Sequence, residues 1–255
     1  FIGISSAGII INNRIRLSSL FLSVPKERFE TDVSDIYCRA CAEAGSEIPF
    51  AVANDGDVSA LSGAIRLKDG SVLGIALGSS EAGGYVDTNG HVTGFLNELA
   101  FVPIDISNEA VFDEWSGDKG CGSHYLSVKA ALRLAEKAGI TLSGSLSDSA
   151  KVHEIQKLTE IAASKSGALS EAPAVKVFKT IGCYLGHAIA LYNSFYTFRH
   201  IVLMGGIVSG YAGEIIAEEC KKVLLEDYYE YNIDIVLPEE EQRRAGQSIA
   251  AALLI

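Results

Sequence analysis

Apolar and polar positions divide the chain into short strands and longer helices. Short runs rich in valine and isoleucine predict buried strands, and longer segments with apolar residues at helical spacing predict helices. The predicted strands are Phe1–Ser5, Ile9–Ile11, Ile48–Ala53, Ser71–Leu77, Tyr85–Val86, His91–Val92, Ile201–Met204 and Ile233–Leu237. The predicted helices are Asp32–Ala44, Asp57–Arg66, Tyr125–Ala138, Ala150–Ser164, Ala172–Phe195, Ser209–Leu225 and Gln242–Leu254. This alternation indicates the α/β class.

Composition and charge limit the classes of molecule that this chain is expected to bind. The chain has 255 residues, 48% of them hydrophobic, with 25 glycines and 5 prolines. A chain of this size can bury one large core or two modest ones. The formal net charge is −11, and no run of Lys or Arg stands out. A nucleic-acid surface is therefore not expected in this stretch, because neutralising phosphates requires clustered positive charge.

The sequence also bears on the cellular location, on the role of the cysteines and on whether residues precede Phe1. No signal peptide and no apolar run long enough to span a membrane are evident, so a cytoplasmic protein is the simplest interpretation. The five cysteines are scattered, and Cys38 and Cys41 form a lone CxxC inside a predicted helix, where we interpret them as ordinary thiols. The opening FIGIS reads as a buried strand that begins at Phe1, so we expect further sequence upstream.

One strand end carries candidate catalytic chemistry. The strand Ile48–Ala53 runs into Asn54-Asp55-Gly56, which places an amide and a carboxylate at its carboxyl end. Ligands of α/β proteins usually bind at that end of the strands. Asp55 could accept a proton from a substrate hydroxyl. The competing interpretation is that Asp55 or Asp57 caps the next helix.

Two glycine-rich turns follow other predicted strands. In Gly78–Gly84, small residues would let backbone N–H groups approach a phosphate, and serine hydroxyls would add donors. The segment Gly205–Gly210 joins a strand to a helix that opens with Ser209, and it could hold a flat base or a ribose against bare backbone. A plain turn explains the first segment equally well, and tight helix–strand packing explains the second.

In order and spacing, these segments resemble the ROK family (repressor, open reading frame, kinase) of the hexokinase and actin-like superfamily. Similarity to the family's Asn-Asp motif lies in AVANDGDVSALSGA, to its second phosphate loop in VLGIALGSSEAGGYVDTNGHVTG, and to its Gly-Glu-φ-Gly-His segment in GFLNELAFVPID. The segment FIGISSAGIIINNRI is similar to the strand and turn that follow the family's first helix. The segment YLGHAIALYNSFYTFRHIVLMGGIVSG is similar to the long helix that leads into the adenosine motif, and GQSIAAALLI to the closing helix. The resemblance implies a two-domain actin-like (ribonuclease H-like) ATPase fold. It implies an incomplete small domain at 1–65 plus 244–255 and a large domain at 66–243.

The resemblance also implies a function. It implies ATP-dependent phosphorylation of a hexose or amino sugar, with ATP and Mg²⁺ as cofactors and Asp55 as general base. The substrate-binding residues implied are Asn54, Glu98 and His124. Many relatives have a second sugar-binding glutamate at the position of Ser123, and His124 could serve in its place. The nucleotide-binding residues implied are Gly78, Ser79, Ser80, Gly205, Gly206 and Ser209. Relatives of this kind commonly dimerise, although no segment here indicates an interface.

Departures from the family pattern leave alternatives open. The Asp-x-Gly-x-Thr phosphate hairpin is missing, and in the family it precedes the segment that Phe1 opens, so we expect a truncated sequence. Phe101 stands in place of the zinc-binding histidine and the cysteine cluster is reduced to Cys121, so we expect no structural zinc. One alternative is a noncatalytic sugar-sensing regulator of the ROK type. Another is the same fold with a different substrate, as in related ATPases and acyl or vitamin kinases.

Overall fold

The structure is a computed structural model that describes residues 1–164 and 172–254. In chain order its strands are β1 (Ile2–Ser6), β2 (Ile9–Ile11), β3 (Arg14–Leu17), β4 (Phe50–Asn54), β5 (Val72–Leu77), β6 (Glu81–Val86), β7 (His200–Met204) and β8 (Asp234–Val236). Its helices are α1 (Lys26–Asp32), α2 (Ile36–Ala44), α3 (Asp55–Leu67), α4 (Val128–Lys137), α5 (Asp148–Ser164), α6 (Pro173–Tyr192), α7 (Gly210–Asp227) and α8 (Glu240–Ala251). Strands and helices alternate, which confirms the α/β class.

Contacts within the chain define two compact units. The first comprises Phe1–Gly74, Gly84–Asn97 and Glu239–Ile255, and the second comprises Ile75–Gly83 and Glu98–Pro238. Strands β5 and β6 therefore pass from one unit to the other along their length. The domain ranges implied by the resemblance stay a prediction.

The first unit is built around a parallel strand pair. Strands β1 and β4 pair in parallel, with Ile4 opposite Val52, and β2 and β3 form an antiparallel hairpin. Helix α3 follows β4 without a loop and packs against α8, which also contacts β1. A Cβ atom on Gly84 of β6 would overlap the carbonyl oxygen of Gly56, so this glycine allows β6 to approach the first turn of α3.

The second unit contains a four-stranded sheet in the order β6-β5-β7-β8, with β7 and β8 parallel. Helices α6 and α7 pack closely on each other. A Cβ atom on Gly182 would lie 2.6 Å from the Ile216 carbonyl oxygen, and one on Gly186 would lie 2.7 Å from Val223 Cβ. The core side of α6 is apolar and fully buried at Phe178, Ile181, Leu185 and Ile189.

Most predicted elements are present, and the differences have local causes. The predicted helix Asp32–Ala44 is shorter, because the Ser34 carbonyl accepts the Ile15 N–H of β3 at 2.8 Å and α2 begins at Ile36. Helix α1 and strand β3 were not predicted. The predicted loop Gly78–Gly84 shrinks to a turn at residues 78–80, because Glu81 already begins β6.

The predicted hairpin after β6 is confirmed. Val86 bridges Val92 in antiparallel fashion, and the turn between them is closed by the Gly90 N–H donating to the Asp87 carbonyl at 3.0 Å. The Asp87 carboxylate also accepts the backbone N–H groups of Asn89 and His91. The Asn-Gly pair was therefore a reliable signal for this turn.

One helix passes a length and composition test for crossing a bilayer, so the expectation that no apolar run is long enough is wrong. This helix is α6, Pro173–Tyr192, and most of its apolar stretch is buried within the protein. A helix that is covered by its own chain in this way behaves as the core helix of a folded unit.

Candidate functional site

Asn54 and Asp55 lie at the junction of β4 and α3 in the first unit. Asn54 is the N-cap: its Oδ1 accepts the Gly56 N–H at 2.7 Å, and its Nδ2 donates to the Gly8 carbonyl at 2.7 Å. Asp55 is half-buried and its Oδ1 also accepts the Gly56 N–H, at 3.1 Å. The competing interpretation gave the capping role to Asp55 or Asp57, but this role belongs mainly to Asn54.

A cavity of about 500 Å³ in the first unit includes Asp55 in its wall. The remaining lining is mostly small or polar and comprises Gly3, Ser5, Ser6, Ala7, Leu20, Tyr37, Gln247, Ser248 and Ala251. Asp55 also stands at the first turn of α3, where the unpaired N–H groups of the helix favour negative charge. The carboxylate therefore lies where it can meet a polar ligand.

Asp57, two residues further on, is buried, and its carboxylate accepts hydrogen bonds from other residues of the same unit. Its Oδ1 accepts the Tyr85 N–H at 3.2 Å and the side-chain amide of Asn97 at 2.7 Å. Burial raises the pKa of Asp57 to about 6, although both hydrogen bonds act in the opposite direction. The Asn97 Oδ1 is buried and has no partner among the described residues. Sequence reasoning treated Asp57 only as a possible cap and missed its link to Asn97.

The two predicted nucleotide loops lie together in the second unit. Leu77 ends β5 directly before Gly78, and Met204 ends β7 directly before Gly205. Gly205 has φ +96°, and a Cβ atom there would overlap the Leu77 carbonyl oxygen. Because β5 and β7 are neighbours in the sheet, the two turns emerge side by side at one edge.

Bare backbone and hydroxyl groups are exposed at this edge. A Cβ atom on Gly206 would meet nothing within 4 Å, and one on Gly78 would only touch the Ser80 carbonyl at 3.7 Å. The side chains of Ser79 and Ser80 are exposed. Neither Gly78 nor Gly206 is required by packing, so both leave room for a ligand to approach the main chain. This edge fits a phosphate-bearing nucleotide.

Further contacts hold the two loops in place. The Gly78 N–H donates to the Ser80 carbonyl at 3.0 Å, and its carbonyl accepts the Val128 N–H at 2.8 Å. The Gly206 carbonyl accepts Nε2 of Gln156 at 2.8 Å. Ser209 occupies the N-cap position of α7, as expected, but its side chain makes no capping hydrogen bond.

Glu98 precedes a short 3-10 turn, Leu99–Phe101, in the second unit, and its side chain is exposed. Phe101, at the end of this turn, stacks on Trp115 with ring centroids 5.2 Å apart. Among the described residues, no group of three or more His, Cys, Asp and Glu side chains is arranged to hold a metal ion. The expectation of no structural zinc stays a prediction.

His124, the second predicted sugar ligand of this unit, is engaged by another side chain. Its Nε2 lies 2.8 Å from Oδ1 of Asp113, which is 5% exposed, and its carbonyl accepts Nη2 of Arg133 at 2.6 Å. The Asp113 carboxylate also accepts the Ser116 N–H at 3.0 Å, which contributes most to lowering its pKa. This pairing leaves one ring nitrogen of His124 for any ligand.

Glu81 was not singled out by sequence reasoning. It is 4% exposed, and its Oε1 accepts the hydroxyl hydrogen of Tyr192 at 2.8 Å. Burial raises the pKa of Glu81 to about 8, with the Tyr192 hydrogen bond acting in the opposite direction. The surrounding sequence GSSEAGG is small and polar, so it gives no signal of burial.

Comparison with known proteins places this fold. No protein-family model and no curated protein matches the chain. Among solved structures, a ROK family glucokinase from Streptomyces griseus, crystallised with glucose and AMPPNP, is similar over 98% of this chain and 80% of its own. Its identity is 17% and its TM-score is 0.66. A putative sugar kinase from Cytophaga hutchinsonii has 19% identity and a TM-score of 0.68, over 99% of this chain and 79% of its own.

A regulator has the same fold. A ROK family transcriptional regulator, a homolog of the E. coli MLC protein, has 22% identity and a TM-score of 0.62 over 85% of this chain and 55% of its own. At these identities the likeness defines the fold: the chain has the actin-like α/β fold of ROK sugar kinases and regulators. The fold implied by the sequence motifs is thereby confirmed.

Proposed function

We propose that this protein is a cytoplasmic, ROK-type kinase that transfers the γ-phosphoryl group of ATP to a hydroxyl of a hexose or amino sugar. The observation that carries the proposal is the Asp55 carboxylate, half-buried in a polar cavity at the carboxyl end of β4 and the start of α3. Solved sugar kinases with the same fold support the same class of activity.

Asp55 would act as the general base. It would take the proton of the sugar hydroxyl while the hydroxyl oxygen bonds to the γ-phosphorus. The bond between that phosphorus and the bridging oxygen of ADP would break in the same event. Alignment of the hydroxyl contributes at least as much as basicity, because phosphoryl transfer depends mainly on positioning and charge stabilisation.

The nucleotide would lie at the edge formed by the two loops of the second unit. Gly78, which has no side chain, would let the phosphates approach, and the backbone N–H groups and hydroxyls of Ser79 and Ser80 would contact them. Gly205, Gly206 and Ser209 would border the adenosine. Mg²⁺, carried with ATP, would neutralise phosphate charge during transfer. The exposed serines and the open space above Gly78 and Gly206 support this assignment.

Asn54, Glu98 and His124 are the proposed sugar ligands. The side-chain amide of Asn54, next to the proposed base, would donate a hydrogen bond to a sugar hydroxyl or accept one from it. The exposed carboxylate of Glu98 would accept a hydrogen bond from a hydroxyl. His124 would contribute through the ring nitrogen that Asp113 does not engage.

The test is a coupled ADP-release assay of the full-length protein against a panel of hexoses and amino sugars. At least one sugar is expected to raise ADP release, and Asp55→Asn is expected to lower kcat by about a hundredfold or more. Asp148→Asn, at an exposed aspartate that opens α5, is the matched control and should retain wild-type activity. A panel without any response above the Asp55→Asn background would exclude the kinase.

A noncatalytic sugar-sensing regulator is the second candidate. It is supported by the ROK regulator of the same fold and by the pairing of His124 with Asp113, which alters one predicted sugar ligand. This candidate predicts that a sugar binds in calorimetry with equal affinity in the presence and absence of an ATP analogue, and that no ADP is released.

A further inference from the structure

Glu81 joins the candidate phosphate loop to the interior of the second unit. It begins β6 directly after Ser80, and its Oε1 accepts the hydroxyl of Tyr192, the last residue of α6. Its Oε2 is buried and has no hydrogen-bond partner among the described residues. An ionised carboxylate in this place would keep its charge out of water with a single donor, which is costly.

Two short turns close over this unpartnered oxygen. A Cβ atom on Gly122 would overlap Oε2 of Glu81 and would lie 2.9 Å from the Leu99 carbonyl oxygen. The carboxyl oxygen and the carbonyl oxygen therefore border the same small space. Two oxygen atoms facing each other in a dry site attract only when one of them carries a proton.

These turns carry the predicted sugar ligands of the second unit. Leu99 follows Glu98 and opens one turn, and Gly122 opens the turn that ends at His124. The turns are also connected directly, because the Gly122 N–H donates to the Val102 carbonyl at 3.0 Å. Glu81 thus lies against the backbone of the two turns that carry Glu98 and His124. In sequence it directly follows the predicted phosphate loop.

We propose that Glu81 is a positioning residue that works as a neutral carboxylic acid, accepting the Tyr192 hydroxyl and donating its own proton to the Leu99 carbonyl. In this form it holds the end of the phosphate loop against the turns that carry Glu98 and His124. The link to ligand binding rests on the proposed function, whereas the protonation of Glu81 does not.

The titratable groups around Glu81 are compatible with a neutral acid. Burial raises its pKa to about 8, and the pKa of Tyr192 is raised well above its usual range, first by burial and then by Glu81, with a smaller contribution from Tyr196. The neighbouring strand β5 carries only apolar residues and glycine. The covering turns bring Glu98, Cys121 and His124, whose Nε2 is held by Asp113. No described cation pairs with Glu81.

Chemical unfolding at several pH values tests the protonation. Glu81→Gln keeps an oxygen for Tyr192 and an N–H for Leu99, and it cannot ionise. Because the folded state keeps its proton up to about pH 8, the unfolding constant of the wild type should rise about tenfold per pH unit relative to Glu81→Gln between about pH 5.5 and 7.5. Glu136→Gln, at an exposed glutamate of α4, should follow the wild type. Parallel curves for the wild type and Glu81→Gln would overturn the proposal.

Infrared spectroscopy of the wild type gives a second test that does not depend on a variant folding. At pH 7.5 a protonated carboxyl absorbance is expected, and it should disappear with a midpoint near pH 8. It should remain in Asp57→Asn and be absent from Glu81→Gln. A wild-type spectrum without a protonated carboxyl at pH 7.5 would contradict the neutral acid.

Calorimetry with AMPPNP and Mg²⁺ tests the positioning role. At pH 9 about one molecule in ten would retain the neutral Glu81, so wild-type affinity should be about tenfold weaker than its limiting value at low pH. Glu81→Gln should show no such loss. An equal loss in both proteins would overturn the positioning role. Absence of nucleotide binding at every pH would contradict the proposed function and the positioning role together, while the infrared result would still decide the protonation.

Discussion

At the scale of single residues, burial raises the pKa of two carboxyl groups, Asp57 and Glu81, whereas the proposed base, Asp55, is accessible. Asp57 and Glu81 are 6% and 4% exposed, and burial raises the pKa of both. Asp55 is half-buried and faces a polar cavity. A carboxylate that must receive a proton from a ligand needs access, whereas Asp57 and Glu81 have partners inside their own units.

Asp57 gives a prediction for stability against pH. Its folded pKa of about 6 is above its unfolded value of 3.8, so the folded state binds more protons between these values. Stability should therefore be greatest below pH 4 for this group and should fall as pH rises through 6. The full loss is about 3 kcal/mol. Asp57→Asn should remove this pH dependence, measured by urea unfolding from pH 4 to 7.

The control for this experiment is Asp148→Asn, which removes an exposed carboxylate. Its unfolding free energy should change with pH in the same way as that of the wild type. If Asp57→Asn retained the wild-type slope between pH 4 and 6, the buried Asp57 carboxyl group would not be the source of the effect.

At the scale of elements, strand ends and helix starts position most of the candidate chemistry. Asp55 opens α3 directly after β4, and the two glycine loops follow neighbouring strands of one sheet. The strands follow from apolar runs and the hairpin from Asn-Gly, so sequence pattern was sufficient to locate Asp55 and the loops on their elements.

The same patterns could not locate the buried polar links. The Glu81–Tyr192 hydrogen bond joins residues 111 positions apart, and the Asp57–Asn97 bond joins residues 40 apart. Neither pair has a local periodic signal. Such links are determined by which elements pack together, and local patterns carry no record of that.

The two adjacent glycines of the second loop provide a matched pair of variants. Gly205→Ala places a side chain at φ +96° against the Leu77 carbonyl, and it should destabilise the protein by about 2 kcal/mol or more. Gly206→Ala meets no atom within 4 Å and should leave the Tm nearly unchanged while it weakens binding of AMPPNP. Thermal melts and calorimetry separate the two effects. Equal destabilisation by both variants, or unchanged affinity in Gly206→Ala, would contradict the assignment.

Close packing of α6 on α7 gives a further prediction. Gly186→Ala would bring a methyl group to 2.7 Å from Val223 Cβ, so the helices must separate, and we expect a loss of about 1 to 3 kcal/mol. Gly144→Ala, where a Cβ atom meets nothing within 4 Å, is the control and should not destabilise. Unfolding free energies of the two variants check this, and a neutral Gly186→Ala would show that the interface can adjust.

At the scale of the whole molecule, the chain has the fold of ROK sugar kinases and regulators, and its candidate residues form one group in each unit. The first unit carries the proposed base, Asp55, with Asn54, and the second carries the predicted nucleotide loops with the predicted sugar ligands Glu98 and His124. The actin-like fold was implied by the resemblance of the ordered sequence motifs to the ROK family. The choice between kinase and regulator does not follow from fold, because proteins of both kinds share it.

The central claim is that the Asp55 carboxylate removes a proton from a sugar hydroxyl during phosphoryl transfer from ATP. Phosphorus NMR of the full-length protein with MgATP and the sugar that gives the largest ADP release tests it most directly. The wild type should form a sugar phosphate ester together with ADP, and Asp55→Asn should bind AMPPNP with unchanged affinity while forming the ester at least about a hundredfold more slowly. Ester formation at the wild-type rate in Asp55→Asn, or ADP formation with inorganic phosphate and no ester in the wild type, would contradict the claim.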